Sequence, residues 1–190
     1  MPDEARFCPQ CGAALGAPRQ RGEGQWNCGW RNGLPEHRQR IAYGTREADV
    51  VSPCGTVVEL QWGPLDRLHI QERELVYGAM VWLFFAVDAH IKGRLRLQLE
   101  PGKELVFFNW RSPRETIDAC RRPIYLDLGQ SDQVEGQHLV LKLGRTYPQR
   151  GWLRGNGWLY TAESFHNWMA HSIPLTPWLP AQPREEHTAA

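Results

Sequence analysis

Arg94-Leu95-Arg96-Leu97-Gln98-Leu99 runs into Glu100-Pro101-Gly102-Lys103 and then into Glu104-Leu105-Val106-Phe107-Phe108. The first six residues alternate strictly between polar and apolar side chains, the period of a strand with one wet face. Proline presets φ at the second turn position and glycine accepts positive φ at the third, as a type II turn requires. Residues 94–110 therefore read as a β-hairpin. Short runs of similar character flank it at Thr56–Trp62, Arg67–Leu75, Ala79–Val87, Pro123–Leu128 and Gln137–Leu143. A last hairpin is expected around Gly155-Asn156-Gly157, with Trp152 and Trp158 on its two arms. Several short strands separated by turn signals predict a mainly β domain, sandwich-like or an open barrel.

Two short helices are expected to interrupt the strands. Ser112-Pro113-Arg114-Glu115 forms a capping box with proline at the first helical position, so a helix should run to about Arg121. Thr161 can cap a second helix from Ala162 to about His171, with Phe165, Trp168 and Met169 on one face.

The chain has 190 residues, 42% hydrophobic and 23% charged, as expected of an ordinary domain plus a small appendage. Its net charge of +1 gives no global electrostatic case for nucleic acid or an anionic membrane. Met1-Pro2-Asp3-Glu4 begins no secretory signal. The longest apolar run, Ala79–Val87, falls far short of the roughly 20 residues that a membrane helix needs and reads as a buried strand. An odd number of cysteines, five, together with a CxxC pair, favours a reducing cytoplasm and metal ligation over a disulfide framework.

Phe7-Cys8-Pro9-Gln10-Cys11-Gly12 carries the metal signal. Two residues between cysteines let both sulfurs face one ion from a tight turn, and the following glycine permits that turn. The segment resembles the first C-P-x-C-G knuckle of the zinc-ribbon family, over residues 6–33 only. The resemblance implies a small ribbon with Cys8, Cys11 and Cys28 as zinc ligands, because Cys28-Gly29 has the form of a second knuckle. The partner cysteine of that knuckle is missing: Gln25 and Arg31 occupy the two places where spacing would put it. Three completions stay open: His37 as the fourth ligand, Cys54 as the fourth ligand, or a module that keeps only three ligands. A redox role for the Cys8–Cys11 pair would want a βαβ context that the neighbouring residues lack.

No phosphate-binding loop, nucleophile elbow or H-E-x-x-H motif occurs, and His69, His90, His138, His166 and His171 are scattered. Asp88, Asp127 and Glu163 form no recognisable pair, and Cys120 reads as a small core residue. Pro174, Pro177, Pro180 and Pro183 recur every third residue, so they share one edge of a polyproline II segment. Leu175, Trp178 and Leu179 are costly to leave in water, which favours a strap on the chain's own domain over a ligand for a partner.

The expected organisation is a zinc-ribbon-like module at 1–33, a connector at 34–55, a β-rich domain at 56–171, and a proline-rich strap and tail at 172–190. The expected function is a non-enzymatic, cytoplasmic adaptor that binds a protein partner through its aromatic-rich β domain. Nucleic-acid binding through Arg19, Arg21, Arg31, Arg38, Arg40 and Arg46, with Trp26 and Trp30 as stacking platforms, is the first alternative. An enzyme with an unrecognised site in the β domain is the second.

Overall fold

A computed structural model describes residues 18–131 and 136–180. Cys8 and Cys11 lie outside them. The fold is mainly β, but it is neither a sandwich nor a barrel. One open sheet takes up all nine strands of the described residues: β1 (Gln39–Tyr43), β2 (Arg46–Val51), β3 (Val57–Gln61), β4 (Met80–Phe85), β5 (Leu95–Gln98), β6 (Leu105–Arg111), β7 (Ile124–Gln130), β8 (His138–Gln149) and β9 (Trp152–Thr161). Their order across the sheet is β1-β2-β3-β4-β7-β8-β9-β6-β5. The expected connector at 34–55 therefore contains the first two strands.

The departure from a sandwich has a physical cause. β3, β4 and β7 pair in parallel. Parallel neighbours need a crossover, which a helix commonly supplies. The crossover between β3 and β4 is α2 (Arg67–Tyr77), so the run expected as a strand at Arg67–Leu75 is helical. Asp66 caps it by accepting a hydrogen bond from the His69 amide, and Ile70, Glu74 and Tyr77 are its buried side chains, four and three residues apart. The apolar run at 79–87 does form a strand, β4, buried on both faces as parallel central strands are.

Among the described residues four α-helices, rather than two, cover the sheet. α1 (Pro18–Arg31) and α4 (Ala162–His171) pack on one face over Val58, Val81, Leu83 and Tyr125. α2 and the short α3 (Val87–Ile91) pack on the other, whose core includes Trp82, Phe84, Phe108 and Trp110. α4 has its expected bounds and its expected Thr161 cap, which accepts from the Ser164 amide. The helix expected after Ser112 shrinks to a 3-10 segment, Glu115–Ala119, because Arg114 keeps an extended backbone.

The 94–110 hairpin is present as β5 and β6. The expected hairpin at Gly155-Asn156-Gly157 is not: those residues lie inside β9, and Trp152 and Trp158 sit on the same strand. The glycines serve close strand contact instead of a turn. A Cβ at Gly157 would stand 2.1 Å from the Lys142 carbonyl oxygen of β8. The segment from Ser172 to Pro180 lies against the domain. The Trp178 amide donates to the Leu159 carbonyl at 2.7 Å, and Leu175 and Trp178 pack on the two cores.

Candidate nucleic-acid interface

The face that α1 and α4 cover is covered only in part. On β7 and the start of β8 it is roofed by helix. Among the described residues no helix covers the same side of β5, β6 and the first half of β9, although Tyr160 at the end of β9 is buried beneath α4. The register there sets side chains in rows across the strands. Arg96 of β5, Asn109 of β6, Arg154 of β9 and Tyr147 of β8 are successive partners. One row on, Gln98, Phe107 and Asn156 align, and on the other side Arg111 faces Trp152. Alternation sends Leu95, Leu97, Val106, Phe108, Trp110 and Leu153 into the core, so these rows point outward together.

Both the charge and the aromatic content of this face are unusual. β5, β6, β8 and β9 carry Arg96, Arg111, Lys142, Arg145 and Arg154 and no carboxylate. No ion pair among the described residues engages those arginines. Phe107, Tyr147 and Trp152 are 43%, 51% and 39% exposed, high values for large rings on a sheet. Lys142 lies 5.9 Å from the Tyr125 ring and 5.7 Å from the Trp158 ring, a cation–π bridge from the roofed half to the open half. A groove of about 610 Å³ runs over Arg94, Arg96, Asn109, Arg111, Trp152 and Arg154.

Glu100 and Glu104 flank the β5–β6 connection, and a cluster of buried carboxylates lies at the other end of the sheet. Glu59 of β3 is buried and bonded to Arg73 of α2. Burial, reinforced by the neighbouring Asp49, pushes its carboxyl up to about 7. Asp49 is also raised, chiefly by burial, although the Leu60 amide and Arg31 favour its charged form. Three of the arginines named in the nucleic-acid alternative are spent here or nearby: Arg31 lies 3.8 Å from Asp49, Arg40 pairs with Glu47, and Arg46 pairs with Glu72. The side chains of Arg19 and Arg21 lie outside the described residues.

Trp26 and Trp30 are also turned inward. Both indole N–H groups donate to one oxygen of Asp127, at 2.6 and 2.9 Å. The other oxygen accepts from the Gly129 amide at 2.9 Å and pairs with His138 Nε2 at 2.6 Å. Burial alone would raise this carboxyl, but the His138 bond and charge, with the Trp26 and Gly129 donors, hold it below the ordinary carboxylate range. Asp127 thus fastens α1 to β7. Beside it a hollow of about 380 Å³ between α1 and α4 is lined by His138, Glu163 and His166.

No family model matches this chain, and no curated protein or solved structure matches it either. The residues expected to hold metal are placed as follows. Cys28 is buried within α1 and is disulfide-bonded, so one cysteine expected as a metal ligand is instead part of a disulfide. His37 is exposed in a 3-10 turn. Cys54 is exposed in the β2–β3 turn, 3.1 Å from Ser52 Oγ, and that contact with the Thr56 hydroxyl lowers its thiol to about 6. Among the described residues no group of three or more His, Cys, Asp or Glu side chains is arranged to hold a metal ion. None of their helices is long and apolar enough to cross a membrane.

Proposed function

We propose that this protein binds single-stranded nucleic acid on the open half of its sheet. The observation that carries the reading is the outward set of Arg96, Arg111 and Arg154 interleaved with Phe107, Tyr147 and Trp152, on strands without a carboxylate. Base stacking on exposed rings and phosphate contact by arginine is how sequence-tolerant single-strand binders work. A duplex would present phosphates but keep its base faces stacked away from the rings. The same aromatics would suit a protein partner, the function first expected from the sequence, but that reading leaves the clustered, unneutralised arginines without a role. Zinc at Cys8, Cys11 and Cys28 is a further proposal that rests on the knuckle sequence alone, and it requires Cys28 as a free thiolate instead of the disulfide it forms in the structure; metal analysis of the reduced protein beside Cys28→Ser tests it.

The test is fluorescence anisotropy with a labelled single-stranded oligonucleotide. If about four phosphates are contacted, log affinity should fall with log salt at a slope near −2.8, weakening binding roughly 50-fold between 50 and 200 mM. Trp152→Ala should cost about 1–3 kcal/mol of binding, the worth of one stacked base. Absence of binding at 50 mM salt, or binding untouched by Trp152→Ala and by Arg96→Gln/Arg154→Gln together, would overturn the proposal.

A further inference from the structure

Arg94 lines the open groove and also a second, smaller cavity of about 210 Å³ at the carboxyl ends of β3 and β4. In open sheets the carboxyl ends of parallel strands are where ligands bind. The stacked rings of Trp62 and Phe85, 3.7 Å apart, contribute to one wall, and Arg94, Arg114 and Trp110 contribute to the rest.

Three features mark this cavity as built for an anion. Arg114 reaches it from the segment before the 3-10 turn and is fixed by two carbonyls, with Nη1 donating to Gly63 at 3.0 Å and Nη2 to Phe85 at 2.6 Å. A guanidinium has five N–H groups, so three remain for a ligand. Burial, then repulsion from Arg94, lowers the Arg114 pKa, so two cations share the cavity with too little negative charge to offset them. The one carboxylate in the wall, Asp88, pairs with Lys92 at 3.4 Å. Independently, Trp110 is 1% exposed and its indole N–H is buried without an acceptor. Buried donors are nearly always satisfied, and an orphan calls for an explanation.

We infer that this cavity binds a phosphate monoester, held by Arg94 and Arg114 and bounded by Trp110. Two guanidiniums match the two charges and several acceptor oxygens of a monoester better than the single charge of a bridging phosphodiester. Two sources fit: the terminal phosphate of a strand lying in the adjoining groove, or a free phosphate compound. The first source rests on the nucleic-acid reading; the monoester site itself does not.

The experiment compares one oligonucleotide with a 5′-phosphate, a 3′-phosphate or neither, by anisotropy, and adds inorganic phosphate in a thermal-shift series. The expected result is at least tenfold tighter binding of one phosphorylated form, with the advantage falling below twofold in Arg94→Gln. Arg94 makes no side-chain bond that holds the fold, so this variant should fold; circular dichroism checks that it does. If no oligonucleotide binds while phosphate raises the melting temperature of the parent and not of Arg94→Gln, the site stands, its source is a free compound, and the nucleic-acid reading fails. Equal binding of all three oligonucleotides, with no rise of the melting temperature across the phosphate series, overturns the monoester site and leaves the nucleic-acid reading intact.

Discussion

Replacing Asp127 by asparagine should loosen the attachment of α1 by an amount that the hydrogen-bond inventory fixes. The carboxylate accepts two donors on each oxygen: both indoles on one, the Gly129 amide and His138 on the other. Asparagine keeps one acceptor oxygen and turns the other into a donor. Facing the amide group toward the tryptophans would orphan two donor-only indoles. Facing it toward His138 is cheaper, because the imidazole can switch tautomer and accept, leaving the Gly129 N–H alone unsatisfied. One buried unsatisfied donor costs about 1–3 kcal/mol. Asp127→Ala strands all four donors and should cost about 4 kcal/mol or more, a large part of a typical domain's 5–15.

Urea denaturation followed by tryptophan fluorescence reads both variants. With a slope of about 2 kcal/mol per molar, Asp127→Asn should lower the midpoint by roughly 0.5–1.5 M and Asp127→Ala by about 2 M. The parent should also lose stability in acid. Its folded pKa at Asp127 is lowered, so the contribution is present above the unfolded carboxylate value and disappears as pH falls through the folded one. Asp127→Asn should flatten that acid limb. A midpoint for Asp127→Ala within about 0.3 M of the parent would refute the claim that this carboxylate holds α1 in place.

Two further outcomes follow from the packing. Gly157→Ala should separate β8 from β9, since its Cβ would meet the Lys142 oxygen at 2.1 Å and Leu141 Cδ1 at 3.0 Å; calorimetry should show a loss of about 3 kcal/mol, or roughly 6–12 °C in Tm. Burial lifts the folded pKa of Glu59 from an ordinary 4.5 to about 7, so the folded state holds its proton more tightly and stability falls as pH rises between those values. Glu59→Gln should remove much of that slope, and urea midpoints at pH 5 and pH 8 that differ as much in the variant as in the parent would count against it.

The elements legible in the sequence are those whose signals are local. The β5–β6 hairpin needed only alternation and a Pro-Gly turn, and α4 only a threonine cap and three apolar residues at helical spacing. α2 was misread because Leu68-His69-Ile70 mimics a strand; Asp66 beside helix-forming Gln71, Glu72 and Arg73 was the signal that could have corrected it. The open sheet was hidden for another reason. A buried run such as Ala79–Val87 looks the same whether its neighbours are parallel or antiparallel. The cationic strands were hidden by averaging: a net charge of +1 over the whole sequence says nothing of β5, β6, β8 and β9, which carry five basic side chains and no carboxylate. Tryptophan content cannot tell inward rings from outward ones. Trp26 and Trp30, the stacking platforms of the nucleic-acid alternative, bond to Asp127 instead, while Trp152 is 39% exposed.

The order of strands in the sheet also constrains the order of assembly. The β5–β6 hairpin emerges between β4 and β7, yet it joins the sheet only through β9, close to the end of the chain. During synthesis the hairpin is complete long before its docking strand exists. Until then Phe108 and Trp110, later core, have no layer to rest on, and the rows meant for the open face have no frame. A two-stranded hairpin is marginal alone, so this half of the sheet should gain its hydrogen-exchange protection last and lose it first. The surface proposed to hold the ligand would then be the least stable cooperative unit of the fold, and a bound strand spanning β5, β6 and β9 would stitch it to the rest.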